Sequence, residues 1–207
     1  MSRAQKAIAL GLLLVAASAW AGGILILESL TPELPKKAPE GYSLEGGVYH
    51  YRDAHLDVQV FQLTAAERPQ YYAMKKLPDP FSGVRPAENL ILLRVRIENL
   101  QKEGAVEFSP TASMLGDSLA FDDTYVYQFI YKEKDADAKL SAAGKTMYLK
   151  HLSLPPGTWI ERLLAFQYDN PYPSKRLILQ IGGISTGQEG VNLVFPFKTK
   201  FRKEKSQ

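Results

Sequence analysis

Cysteine is missing from all 207 residues. Its absence excludes disulfides, thiolate metal sites, a cysteine nucleophile and the acylated cysteine that anchors a bacterial lipoprotein. A domain built this way must rely on its core, although small exported domains often add disulfides. Histidine is scarce too: His50, His55 and His151 are the whole supply. There is no Gly-rich phosphate loop and no pair of catalytic acids at a defined spacing. Beyond residue 41 no segment keeps a long helical period of apolar residues.

What is present belongs to a folded chain, with 45% apolar and 23% charged residues. Eleven Tyr, nine Phe and thirteen Pro tilt it towards β structure, because aromatics favour strands and Pro punctuates them. The formal charge of +3 is unevenly placed. Residues 198–207, KTKFRKEKSQ, carry five basic groups and one acid, and Arg3 and Lys6 lie near the start. The rest is mildly acidic, which argues against a nucleic-acid-binding domain, since that would carry a basic stripe on the fold itself. The basic tail, 198–207, reads as solvated and frayed.

The first 27 residues read as a signal anchor or a signal peptide. Ala7–Leu27 is a run of 21 uncharged residues, and a helix of that length is about 30 Å, enough to cross a bilayer. Length thus favours an anchor over a secretory segment of about 7–15 apolar residues. Ala19-Trp20-Ala21 followed by Gly22-Gly23 favours cleavage after Ala21 instead. In both cases Arg3 and Lys6 keep the N-terminus cytoplasmic, and the body is exported to the envelope, periplasmic or extracellular. Residues 28–41, ESLTPELPKKAPEG, hold three Pro and read as an extended linker, a semi-rigid stalk. The folded domain is then expected over 42–197.

Within it, NLILLRVRIEN (89–99) is the clearest strand. Leu93, Val95 and Ile97 lie on one face, and Arg94, Arg96 and Glu98 on the other. Further strands are expected at 46–53, 55–63, 104–110, 123–131, 158–168, 175–181 and 190–198. Seven or eight short strands with regular turns predict an all-β antiparallel sandwich behind one hydrophobic helix. Two stretches resist this pattern: the Pro-rich 67–89, with room for one helical turn, and 132–147, a short helix or loop.

The run from Ile91 to Tyr127 resembles the core of small immunoglobulin-like extracytoplasmic bacterial domains. The strand ending in Glu98-Asn99, a strand ending in Pro110, the MLGDS before a Tyr-rich segment, LPPG at 154–157 and LLAFQY at 163–168 carry the resemblance. It covers residues 55–197 and implies fold and location, not chemistry. It departs from those domains in lacking the lipobox cysteine and in its longer 67–89 segment.

Motifs that suggest chemistry have plainer readings. GISTG (183–187) matches a serine nucleophile elbow, but a strand follows where a helix is required and no His lies beyond residue 151, so a hairpin turn is expected. His50, His55 and His151, with Met74, Met114 and Met147, are the only candidates for a soft metal site of copper type, and their spacings suit strands poorly. DADAK (135–139) lacks the residues an EF-hand loop needs next. GDSLAFDD (116–123) reads as an Asx turn, with a calcium site at a sandwich edge as the alternative. Tyr71, Tyr72, Phe81, Trp159 and Tyr172 are candidates for an aromatic binding surface, against core packing. The expected function is a non-enzymatic exported binding or assembly module, without cofactor, that contacts another envelope protein and is tethered by residues 7–27 if they are retained. The alternative is an exported metal-binding protein using His and Met.

Overall fold

A computed structural model of the chain describes residues 24–85, 89–168, 173–187 and 189–204. The hydrophobic helix expected from the leader lies, up to residue 23, outside these residues. Among the described residues no helix is long and apolar enough to cross a membrane.

The alternation of residues 89–99 sets the centre of the fold. Leu90–Asn99 forms β5, with Leu93, Val95 and Ile97 fully buried on one face. Its neighbours are β4 (Leu56–Leu63) and β10 (Trp159–Gln167), and β3 (Val48–Arg52) and β2 (Tyr42–Glu45) complete a five-stranded sheet of order β10-β5-β4-β3-β2. The second sheet runs β1 (Ile24–Pro32), β12 (Glu189–Glu204), β11 (Arg176–Thr186), β6 (Val106–Phe108), β9 (Leu152–Leu154). It also carries the small hairpin of β7 (Met114–Leu115) and β8 (Ser118–Leu119), with β7 on β11. Neighbouring strands pair antiparallel in both sheets. Val58, Val60, Val95 and Ile97 pack against Phe108, Leu179, Ile181, Phe195 and Phe197 in one core between the sheets. Each such side chain adds about 1.5–3 kcal/mol by leaving water. Two facing antiparallel sheets are the expected all-β arrangement, with twelve strands among the described residues rather than seven or eight.

Three short helices among the described residues form a layer: α1 (Arg68–Met74) in the Pro-rich stretch with room for a helical turn, α3 (Ala136–Thr146) where a short helix or loop was expected, and α2 (Asp123–Ile130) where a strand was expected. Residues 123–131 are therefore helix, not strand. Asp122 accepts a 2.7 Å hydrogen bond from the Tyr125 N–H and caps the helix, and Val126 and Ile130 fall four apart on its buried face. Aromatic content suggested a strand, but the apolar spacing is helical. These helices cover part of the outer face of the five-stranded sheet, where Leu63, Leu92, Leu163 and Ala165 meet Tyr71, Tyr72, Phe81, Val126 and Ile130 in a second core.

The domain ends also differ from the sequence expectation. Residues 28–41 do not begin as a stalk. β1 reaches Pro32, and its register with β12 runs from Ile24↔Glu204 to Pro32↔Phe197. Residues 198–204 are likewise strand rather than frayed tail. Lys198, Lys200 and Arg202 occupy alternate positions on the solvent side of β12, and Thr199 and Phe201 face the other way. Charge read in blocks hid that two-residue period. The other edge of β1 is closed by side chains. Asn89 accepts from the Leu27 N–H at 2.8 Å and donates to the Leu25 carbonyl at 3.2 Å, and Gln62 accepts from the Leu30 N–H at 2.7 Å. Amides of the five-stranded sheet thus stand in for a further strand and protect an edge that would otherwise invite pairing.

Candidate functional site

The aromatic candidates separate. Tyr71, Tyr72 and Phe81 are buried in the second core and form no surface. The cause is a polar lock: Arg68 Nε meets Asp79 at 2.8 Å, Arg68 also donates to the Phe81 carbonyl at 2.8 Å, and Asp79 accepts from the Phe81 N–H at 2.9 Å. That lock folds the 75–85 segment down over the sheet. Trp159 is exposed at the start of β10, with the Arg96 guanidinium 4.3 Å from its ring centre. Tyr172 lies outside the described residues.

The histidines do not converge. His50 lies on β3 opposite Gln59, and His55 lies in the turn before β4, where its N–H donates to Asp53. His151 belongs to the other sheet, just before β9. Among the described residues there is no group of three or more His, Cys, Asp or Glu placed to hold a metal ion. His151 does stand between a hydroxyl and a carboxylate, with Ser109 Oγ 3.1 Å from Nδ1 and Glu107 Oε2 2.8 Å from Nε2. The order is that of a nucleophile, base and carboxylate, but the surroundings are not those of a hydrolase. His151 is 60% exposed. The Ala112 and Ser113 amides nearby already donate within the 3-10 turn Pro110–Ala112, so they do not form an oxyanion hole. Glu107 also accepts from Ser153 at 2.6 Å, and the cluster ties β6 to β9.

GISTG is resolved by its glycines. The register of β11 against β12 shifts between Ile181 and Ile184, a β-bulge. Gly183 has φ +70°, and a Cβ there would collide with the Ser109 carbonyl oxygen. The 3-10 turn crosses the sheet at that point. Ser185 is a strand residue, and the hairpin turn expected of the motif lies at its end, at Gly187. In GDSLAFDD, Asp117 sits in the β7–β8 turn, Asp122 caps α2 and Asp123 is 3.7 Å from the Lys150 ammonium, so the acids point apart.

A groove lies beside that segment. The β7–β8 hairpin runs along β11, with the Gly116 N–H donating to the Ile178 carbonyl at 2.9 Å. Five residues on, the chain has crossed to the other sheet, where the Phe121 N–H donates to the Ala165 carbonyl of β10 at 2.9 Å. The crossing opens a groove of about 850 Å3 between the hairpin, the start of α2 and the facing ends of β10 and β11. Its floor is apolar, with Leu115, Phe121 and Leu177 buried. Leu119, Ile178 and Tyr125 are exposed on its walls, and Asp117, Gln167 and Gln180 supply polar edges. The Tyr125 hydroxyl donates to Gln167 at 3.3 Å, and Arg176 is held by Glu33 at 2.8 Å. The accessible lining is mixed, somewhat more polar than apolar, so it suits a segment that offers both apolar side chains and hydrogen-bonding groups; it holds no imidazole beside its serine hydroxyls. Sequence reading missed Leu119 and Ile178 because each reads as an ordinary strand residue. The one available signal was that both are large and apolar at solvent-side positions of their strands.

Comparison of the chain with known protein families, with characterised proteins and with solved structures returns no match.

Proposed function

We propose that this chain is a non-enzymatic binding or assembly module of the cell envelope, an immunoglobulin-like sandwich that holds a segment of another protein in the groove beside β7 and β8. The observation that carries this reading is the groove's lining. Exposed Leu119, Ile178 and Tyr125 surround an apolar floor, and solitary exposed aliphatics are ordinary whereas a concave cluster of them marks contact. Its immunoglobulin-like character is supported by the antiparallel pairing within both sheets and by the Asn99 and LPPG pieces lying together at one end of β5. Export behind the leader is supported by the uncharged run. β1 takes Ile24–Leu27 out of it, and a helix over the 17 residues left, 7–23, would be about 25 Å long, at the short end of what spans a bilayer.

Site-specific photocrosslinking in envelopes tests the groove. A crosslinker at Leu119 is expected to give one discrete adduct that Ile178→Asp abolishes, while the same group at exposed Lys102 gives none. Equal labelling at both positions, or none at Leu119, would remove the binding reading. Intact mass of the native N-terminus separates a retained anchor from cleavage after Ala21.

A further inference from the structure

The register of β1 against β12 brings together two parts of the chain that the sequence keeps far apart. Ile24, where β1 leaves residues 1–23, lies opposite Glu204, Leu25 opposite Lys203, and Ile26 opposite Arg202. The positive end of β12 therefore sits at the point where the uncharged run 7–23 enters the fold. Lys175 and Arg176, at the start of β11, lie away from that end, since Arg176 is opposite Lys198 and Lys198 opposite Thr31. Over the end of the pair near Ile24, residues 24–29 and 200–204, there are three cations and two acids. Glu33 is matched by Arg176 and Lys198, and Glu28 by Lys200. The small positive excess thus rests on exposed Arg202 and Lys203, with Glu204 next in sequence and Glu28 also feeling the Arg202 charge. β1 begins at Ile24, the residue after Gly23 in the sequence.

We infer that this pole is a membrane-contact surface for anionic phospholipid headgroups. The inference rests on the proposal that residues 7–23 are retained in a bilayer. A bilayer holding that run lies within a few residues of Ile24, and strand residues advance about 3.3 Å each. Arg202 and Lys203 then stand within about one Debye length of the headgroups, where each cation is worth about a fivefold gain in contact. Charge complementarity and the direct junction of leader to strand select a lipid surface over an acidic protein. The domain then stands on the membrane at a fixed pole.

The test uses the full chain in phosphatidylcholine vesicles, with and without phosphatidylglycerol. Flotation in high salt reports insertion of the leader. Amide exchange over residues 198–204 reports contact of the pole. Flotation is expected in both vesicle types. Exchange at 200–203 is expected to slow by at least about fivefold only with phosphatidylglycerol, and raised salt or Arg202→Glu with Lys203→Glu should restore it. The salt arm uses the unaltered chain, so it decides the matter even if charge reversal disturbs β12. Flotation with equal exchange in the two vesicle types overturns the contact and leaves anchoring intact. Failure to float overturns both. Equal protection by soluble polyglutamate would make the pole a site for acidic protein and overturn the lipid assignment.

Discussion

Asn99 is wholly buried, and its side-chain amide is fully engaged. Nδ2 donates to the Gly104 and Leu154 carbonyls at 3.0 and 2.9 Å, and Oδ1 accepts from the Gln101 N–H at 3.0 Å. The backbone joins in, with the Asn99 N–H on the Thr158 carbonyl and the Gly157 N–H on the Asn99 carbonyl, each at 2.9 Å. One side chain thus fastens the end of β5 to the following turn and to the LPPG loop. Asn99→Ala leaves two carbonyls and an amide without their partner, so a loss of about 2–4 kcal/mol is expected in urea unfolding. A loss below about 0.5 kcal/mol would show that both loops hold themselves. Asn99 and LPPG were visible in the sequence as pieces of one pattern. The Arg68–Asp79 lock was not visible, because two charged residues eleven apart in a Pro-rich stretch follow no period. That is why the sequence left Tyr71 and Phe81 open between a binding surface and the core, where they lie.

Among the elements, β5 was the most legible, since strict alternation permits one register and a slip of one residue would exchange its faces. Val95→Asp is expected to abolish the folded near-UV spectrum, because a lone buried carboxylate costs several kcal/mol. Arg94 is less free than the alternation implies. It is bound by both oxygens of Glu161 at 2.8 and 3.0 Å and lies 4.3 Å over the Phe61 ring. Arg94→Ser should therefore lower stability by about 1–2 kcal/mol while keeping the fold. Unfolding by both substitutions, or by neither, would contradict this placement of β5. α2 was illegible for the opposite reason. Its tyrosines satisfy strand propensity, and the Asp122 cap and the spacing of Val126 and Ile130 are the weaker local signals that prevail once a sheet face needs covering. β7 to β9 are two or three residues each, too short for any period. The groove that β7 and β8 help to frame was hidden with them.

At the scale of the whole molecule, the tyrosines set the response to alkali. Burial pushes the Tyr49 phenol up to about 12; its hydroxyl donates to the Pro196 carbonyl and accepts from the Glu33 N–H, joining β3 to the second sheet. Burial, with Glu161 close by, raises Tyr71 to about 12 in the second core. Both are held neutral in the folded state. Their contribution is complete below the ordinary phenol value of about 10 and is lost as pH rises from there through about 12. Absorbance near 295 nm should show these phenols ionising together with loss of structure; separate ionisation before unfolding would show that they are accessible. On the acid side, Glu33 is lowered by hydrogen bonds from Arg176 and Lys198, and Glu28 by Lys200. Their support of β1 is present above the ordinary carboxylate range and fades as pH falls through the lowered values, weakly, because the pairs are exposed.

The junction of the leader with β1 also has a mechanical meaning. A pull at residue 24, resisted at the far pole near Gly187, is directed along β1 and parallel to its partner β12. Every register pair from Ile24↔Glu204 to Pro32↔Phe197 then carries the load at once, together with the amides of Asn89 and Gln62. The strand is loaded in shear instead of being peeled open one pair at a time, so tension on the tether meets the domain in its most resistant direction.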